Sequence, residues 1–361
     1  MFRFFLRRFF YGFLVMWGVV SLIFILFNIL PADPARMMLG QRSDVATLEA
    51  INKDLGRDRP VFIQYLNYLN DLSPLSYYEK NDEESHWYFD KAKYAGAKSL
   101  LQWGENKQIV LKKPYMRRSY QSGKNVSSII AEAFPNTAVL ALSAISIAIL
   151  IGMTIGFFAA KYKDSLFDRS VLLFSVFGMS VPSFFAAVII AWVFAFLLGD
   201  YTGLNMYGSM YEVDDLGRGE YLNLRNLILP AITLGIRPLA IVVELSRNAL
   251  LEVNSMDYMR TARSKGLSEN KVLWKHGMRN ALNPVITAVT AWFASLLAGA
   301  VFVEYVFDWK GLGVIIVNGL ETFDFPVVMG IVLFISVLLI SINIFVDVIY
   351  AWIDPRVRLQ K

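Results

Sequence analysis

The sequence contains no cysteine and only two histidines in 361 residues. The first absence removes a disulfide frame and any thiolate metal site. The scarcity of histidine leaves little for acid–base or nucleophilic work, and the motifs that would organise such chemistry are missing as well. No H-E-x-x-H or G-x-S-x-G occurs. Nor is there a phosphate loop of the form G-x-x-x-x-G-K-S/T. QSGKNV has no glycine five residues before Gly123 and no hydroxyl after Lys124, and AGAKS lacks the second glycine. No catalytic residue, cofactor or metal is therefore expected, and any uphill work must draw its energy from another chain. Charge is also scarce, at 18% against 56% hydrophobic, which is too little polar surface for a soluble domain.

The apolar residues gather into six blocks: Phe9–Leu30, Ile129–Ala160, Ser170–Leu198, Leu227–Leu250, Pro284–Val306 and Val327–Trp352. A helix needs about 20 residues to cross a bilayer. The second and last blocks exceed that, so parts of them should tilt or project into water. The fold class expected is an all-α polytopic membrane protein with six transmembrane helices. The first block, behind MFRFFLRRFF, could be a signal peptide. NILPADPAR follows it without a small-residue cleavage site, so it reads as an uncleaved span.

The net charge of +5 is not a nucleic-acid signal and has to be read loop by loop. Arg3, Arg7 and Arg8 precede the first block, and Lys161, Lys163 and Arg169 lie between the second and third. Between the fourth and fifth stand Arg247, Arg260, Arg263, Lys265, Lys271, Lys275 and Arg279, against Glu252, Asp257 and Glu269. Arg356, Arg358 and Lys361 close the chain, whereas the opposite short loops hold only Arg218, Arg225 and Lys310. The positive-inside rule puts both termini and the loop 251–283 in the cytoplasm.

Four parts follow: an N-terminal helix (1–30), an extracytoplasmic region (31–128), a helical core (129–352) and a cytoplasmic tail (353–361). In the second, LEAINKDLGRDRPVFIQYLNYLNDL has apolar residues at helical spacing (Val61, Ile63, Tyr65, Leu66, Leu69) and predicts one or two short helices. Residues 73–114 mix Tyr, Trp, Lys and acids without a clear period. Tyr77, Tyr78, Trp87, Tyr88, Phe89 and Trp103 within this polar stretch predict that it folds against the outer surface, and its EKNDEESHWYFD reads as a solvated loop with aromatic anchors. Glu83, Glu84, His86 and Asp90 lie within it, and the same reading takes them as solvated side chains rather than a metal site. His276 reads as a surface residue.

The stretch DYMRTARSKGLSENKVLWKHGMRNALNPV carries the most pattern. Asp257 to Lys265 suits a helix, with Asp257 facing Arg260 and Thr261. Gly266 stops it, as a residue free to turn left-handed can. Ser268 is a good N-cap for a second helix, Glu269–Met278, and Pro284 marks re-entry into the membrane. Helix, glycine elbow and helix make a rigid finger. Thr261, Ala262 and Gly266 are small enough for a partner to approach closely. An amphipathic connector lying on lipid headgroups is the alternative.

DYMRTARSKGL and HGMRNALNPV resemble the cytoplasmic loop of the inner-membrane permease subunits of ATP-binding-cassette importers, nearest the dipeptide, oligopeptide and nickel branch. NILPADPARMMLG, LGRDRPVFIQYLNYL, YQSGKNVSSIIAEAFPNT, GMSVPSFF, VFVEYVFDWKGLG and VDVIYAWIDPRVR match that branch in order, and only about 73–114 looks like an insertion. The resemblance implies a five-helix permease core plus the N-terminal helix, and alternating access between two permease subunits, usually non-identical. It also implies a solute-binding protein outside and two ATPase subunits inside, with Asp257, Arg260, Thr261, Ala262, Lys265, Gly266, Leu267 and Ser268 forming the ATPase-coupling loop. The implied substrate is a peptide. Nickel chelates or another small solute could use the same machinery, and a stand-alone secondary transporter is the reading from another class.

Two residues are pathway candidates. Arg237 stands about eleven residues into the fourth block, roughly 16 Å along a helix, and a charge at that depth is functional by default. It is either a substrate contact or half of an ion pair with Glu244, seven residues on. Glu304, with Asp308, flanks the outer end of the fifth block, where a structural role at the rim competes with substrate binding.

Overall fold

The computed structural model describes residues 2–29, 59–81, 85, 87–90, 93–94, 96–214 and 217–353. Residues 30–58, which include the NILPADPAR segment beyond Ile29, together with Glu83, Glu84, His86 and the tail from 354, lie outside them. The chain divides into two compact units: Met1–Glu132 with Ile315–Ile340, and Ala133–Val314 with Ser341–Lys361.

In the first unit, α1 (Phe2–Phe24) continues as a π-helical turn, Ile25–Ile29. After α2 (Val61–Leu72) comes a three-stranded antiparallel sheet in the order β1 (Leu75–Glu79), β3 (Lys107–Leu111), β2 (Lys98–Trp103). The described residues of 73–114 thus form a sheet, which the lack of a period in the sequence did not predict. Its alternation is hidden because polar residues point inward: Ser76 and Gln108 are buried beside Tyr78 and Val110, while Tyr77 faces outward with Ile109 as its cross-strand partner. The core of this small sheet is aromatic. Tyr78, Tyr94 and Val110 are buried, with Phe89 and Tyr115 against them.

Beneath that core, Asp71 of α2 accepts from the Tyr94 hydroxyl at 2.5 Å and from Lys93 at 3.4 Å. Lys112 donates to the Asp71 and Ser73 carbonyls and lies 5.1 Å from the Tyr94 ring. Burial pushes the Lys112 ammonium down to about 8, with the Asp71 charge opposing. Elsewhere in this unit, Phe24 packs on Tyr65 and Tyr68, and Ser21 bonds Tyr65 at 2.5 Å. Met329 and Leu333, from α12 (Phe325–Ile353), complete that cluster.

The second unit is helical apart from a hairpin of β4 (Tyr211–Val213) and β5 (Glu220–Leu222). It takes most of α3 (Val126–Lys161), then α4 (Leu166–Ser180) and α5 (Ser183–Ile190), the last prolonged by π turns through Leu197. A short α6 (Gly199–Thr202) precedes α7 (Arg225–Asn254). The third apolar block is not one straight span, because α4 and α5 meet at 108°. Pro182 has no N–H to continue the ladder and holds Val181 extended at φ −75°, ψ 127°. Helices α3 and α7 cross without clearance. A Cβ on Gly156 would lie 2.0 Å from Ser246 Oγ and 2.7 Å from the Val243 carbonyl.

Among the described residues, four helices are long and apolar enough to cross a membrane. The number rises to six if each of two bent pairs counts as one span.

Candidate functional site

Three places carry the residues singled out from the sequence, and all lie in the second unit. The first is a cavity of about 440 Å³ between α4, α5, α7 and α10 (Met278–Phe307). Phe174, Phe177, Gly178 and Phe185 line it from the bent pair, Arg237 and Pro238 from α7, and Trp292 and Ser295 from α10. The Arg237 guanidinium carbon stands 5.6 Å from the Trp292 ring centroid, a cation–π distance. Among the described residues no ion pair joins Arg237 to Glu244. Seven residues are two helical turns, which puts the two Cα atoms roughly 10 Å apart along the axis. Of the two sequence readings, the internal pair is the one the geometry removes.

The second place is the finger. Helix α8 (Asp257–Ser264) stops at Lys265, and Gly266 takes φ +76° with nothing within 4 Å of a would-be Cβ. The glycine is needed for its backbone conformation, not for room. Met259 and Ala262 face inward onto Leu250, Val253, Val272 and Leu273. Ala262 is thus a core residue, and the expectation that a partner approaches it closely is corrected. The outward face carries Asp257, Arg260, Thr261, Ser264 and Lys265, all exposed. Asp257 and Arg260 are 3.7 Å apart in water, an exposed pair of little energetic weight.

Ser268 occupies the N-cap position but makes no capping bond with its side chain. The turn is held instead by Arg263, whose Nε and Nη2 donate to the Glu269 carboxylate at 3.0 and 2.8 Å while Nη2 also reaches Asn254. That bracket keeps Arg263 charged and holds the Glu269 carboxyl below its usual range. The second helix does not end at Met278. Helix α9 (Glu269–Lys271) runs through π turns, Val272–Gly277, directly into α10 and bends 44° near Pro284. His276 lies half-buried in those π turns. Tyr258 of α8 accepts from Asn280 of α10 at 2.7 Å. The finger is therefore continuous, through α9 and the π turns, with α10.

The third place is the outer end of α10. Glu304 is fully buried and accepts from the Gly313 N–H at 2.6 Å. Gly311 and Gly313 leave its carboxylate just enough space, since a Cβ on either would come within 2.8 Å of a Glu304 oxygen. Beside it, Leu312 N–H donates to Thr137 Oγ1 and Trp309 Nε1 donates to the Asn136 carbonyl. Asp308 ends the helix at φ +51° and is exposed. Glu304 does not line the cavity. It holds the FDWKGLG turn against the end of α10 while Trp309 and Leu312 tie that turn to α3, an arrangement that favours the structural of its two readings.

Sequence reasoning missed Asp168. Its buried carboxylate takes Arg247 Nε at 2.5 Å and Nη2 at 2.7 Å, tying α4 to α7. In the sequence Arg247 is one loop cation among seven, and its partner lies 79 residues away.

Residues 152–359 match the family model described as the binding-protein-dependent transport system inner membrane component, and residues 1–85 match that of its N-terminal region. The chain belongs to this family. It is 35% identical over 345 residues to a protein of Brucella abortus (strain 2308) provisionally named a peptide transport system permease protein, with 95% of each chain covered. The di/tripeptide transport system permease protein of Pseudomonas aeruginosa (strain UCBPP-PA14) is 32% identical over 359 residues, again with 95% of each chain covered. The glutathione transport system permease protein of Pectobacterium atrosepticum is 32% identical over 342 residues, covering 95% of this chain and 94% of that one. This family member is thus an inner-membrane transport component, and its apolar helices suit a multi-pass protein.

Proposed function

We propose that this permease forms half of the pathway of an ATP-binding-cassette importer for peptides. Both bent pairs count as single crossings, giving six spans with the two termini and the finger in the cytoplasm. An even number keeps Arg7 and Arg8 on the same side as α8, as the positive-inside rule requires. A second permease subunit, in a heterodimer, completes the pathway, a solute-binding protein delivers substrate, and separate subunits hydrolyse ATP. The chain itself is no enzyme and binds no nucleic acid.

The observation that carries this reading is the finger. Its apolar side is anchored in the core through Met259 and Ala262, its polar side is exposed, and its far end continues into α10. A loop that merely connected two spans would need neither the Arg263–Glu269 bracket nor a continuous helical joint to α10. Asp257, Arg260, Thr261 and Lys265 present the docking face, while Gly266, Leu267 and Ser268 set its angle. The 73–114 sheet, with Leu100, Leu101 and Trp103 exposed on edge strand β2, faces the binding protein or the second permease. Arg237 belongs to the pathway.

The test is reconstitution of both permeases, the ATPases and the binding protein in vesicles. Peptide-loaded binding protein should raise ATP hydrolysis and drive peptide accumulation. Hydrolysis that ignores loaded binding protein would sink the proposal.

A further inference from the structure

Arg237 is the thirteenth residue of the 30-residue α7, deep in the apolar part of the helix. An arginine at that depth costs several kcal/mol unless it meets water, a protein partner or an anion. No residue lining its cavity is acidic, and among the described residues it forms no ion pair. Trp292 offers its ring to the guanidinium. A ring covers the flat face of that group and leaves the N–H donors in its plane, in the fork geometry that matches a carboxylate.

Two more features sit in the same wall. Pro238 has no N–H, so the Leu234 carbonyl one turn back lacks its helical donor, and both residues line the cavity. The opposite wall is apolar: Phe174, Phe177 and Phe185. The volume, about 440 Å³, falls in the ordinary size range of small-molecule sites.

We infer that this cavity is a recognition station inside the permease. Arg237, held over Trp292, reads the free carboxylate of the passing solute while the phenylalanine wall packs its apolar side chain. The ligand class is a small amphipathic carboxylate, which for a peptide importer is the C-terminus of an apolar peptide. This inference rests on the peptide reading above. A carboxylate of the second permease facing Arg237 is the rival occupant, and the experiment separates the two.

The complete complex is reconstituted in vesicles with wild-type permease, R237Q or R237K. Uptake of Ala-Phe and of its C-terminal amide is measured, each supplied on fully loaded binding protein, so that any preference of the binding protein cancels between variants. The free-acid to amide uptake ratio should fall about 10- to 100-fold in R237Q, the span expected for losing a charge-assisted hydrogen-bonded contact. The fall should come mainly from the free acid, so the ratio, rather than either rate alone, is the readout. R237K should recover part of the ratio, because an ammonium keeps the charge without the fork. If R237Q does not assemble, R237K decides, with a several-fold fall expected.

An unchanged ratio with both uptakes lowered together means that Arg237 meets a partner subunit's carboxylate, and it overturns the inference while leaving the peptide reading standing. Unchanged uptake of both peptides in R237Q overturns it equally. A wild-type complex that moves neither peptide refutes the peptide reading, and the inference falls with it.

Discussion

Replacing Asp168 by asparagine keeps the side chain's shape and removes its charge. Three donors converge on that carboxylate: Arg247 Nε at 2.5 Å, Arg247 Nη2 at 2.7 Å and the Asp164 N–H at 2.9 Å. The side chains are only 2% and 12% exposed, so salt screening is slight. Removing one partner of a buried pair costs about 3–5 kcal/mol, because the other charge is left uncompensated. D168N adds an amide group facing the arginine donors, so the upper part of that range applies. The double variant D168L/R247M leaves no charge behind and preserves apolar volume. It strands the Asp164 N–H at about 1 kcal/mol, and should therefore recover most of the loss. Denaturant midpoints of the assembled complex in nanodiscs give the ordering: wild type, then the double variant close behind, then the single variants D168N and R247M well below. A D168N complex as stable as wild type, or a double variant whose loss equals the sum of the singles, would refute the pair as a buried tie between α4 and α7.

Gly266→Val should leave the spans inserted and abolish the ATPase stimulation given by loaded binding protein. A left-handed β-branched residue costs about 1–2 kcal/mol and re-aims the elbow; a fully stimulated variant would mean that coupling runs elsewhere. Gly313→Ala should destabilise the outer rim more than Gly266→Ala destabilises the finger. Its Cβ would meet the Val301 Cα at 2.4 Å, and backbone cannot rotate away; equal melting of the two variants would contradict this. The 73–114 sheet should become more resistant to proteolysis between pH 8 and about 10. There unfolded Lys112 keeps a proton that the folded residue, at about 8, has lost, so stability rises with pH. Buried Tyr94, raised by burial and Asp71, reverses the trend above that window, and K112M should flatten the rise. Deleting residues 75–111 should spare ATPase assembly but slow peptide uptake, and uptake at the wild-type rate would remove the sheet's proposed role.

The sequence alone settled what composition and local rules control. Block length and hydropathy marked the helices that can span, because a bilayer imposes a minimum apolar length whatever the packing. Gly266 was legible as an elbow, since it acts through its own backbone torsions. What those rules could not reach was any pairing across the chain. The sheet of 73–114 was invisible because its register sets Ser76 and Gln108 inward, so no apolar alternation survives, and because β1 pairs with β3 about thirty residues on. Ala262 looked like open space for a partner, and only packing against Leu250 and Val272 turned it into core. Glu304 and Asp168 are carboxylates of the same kind in the sequence. Tertiary structure made one a staple for Gly313 and the other the anchor of Arg247, and it left Arg237 without the Glu244 that spacing had offered. Burial and partner geometry are properties of the folded whole, and they decide what a buried charge can do.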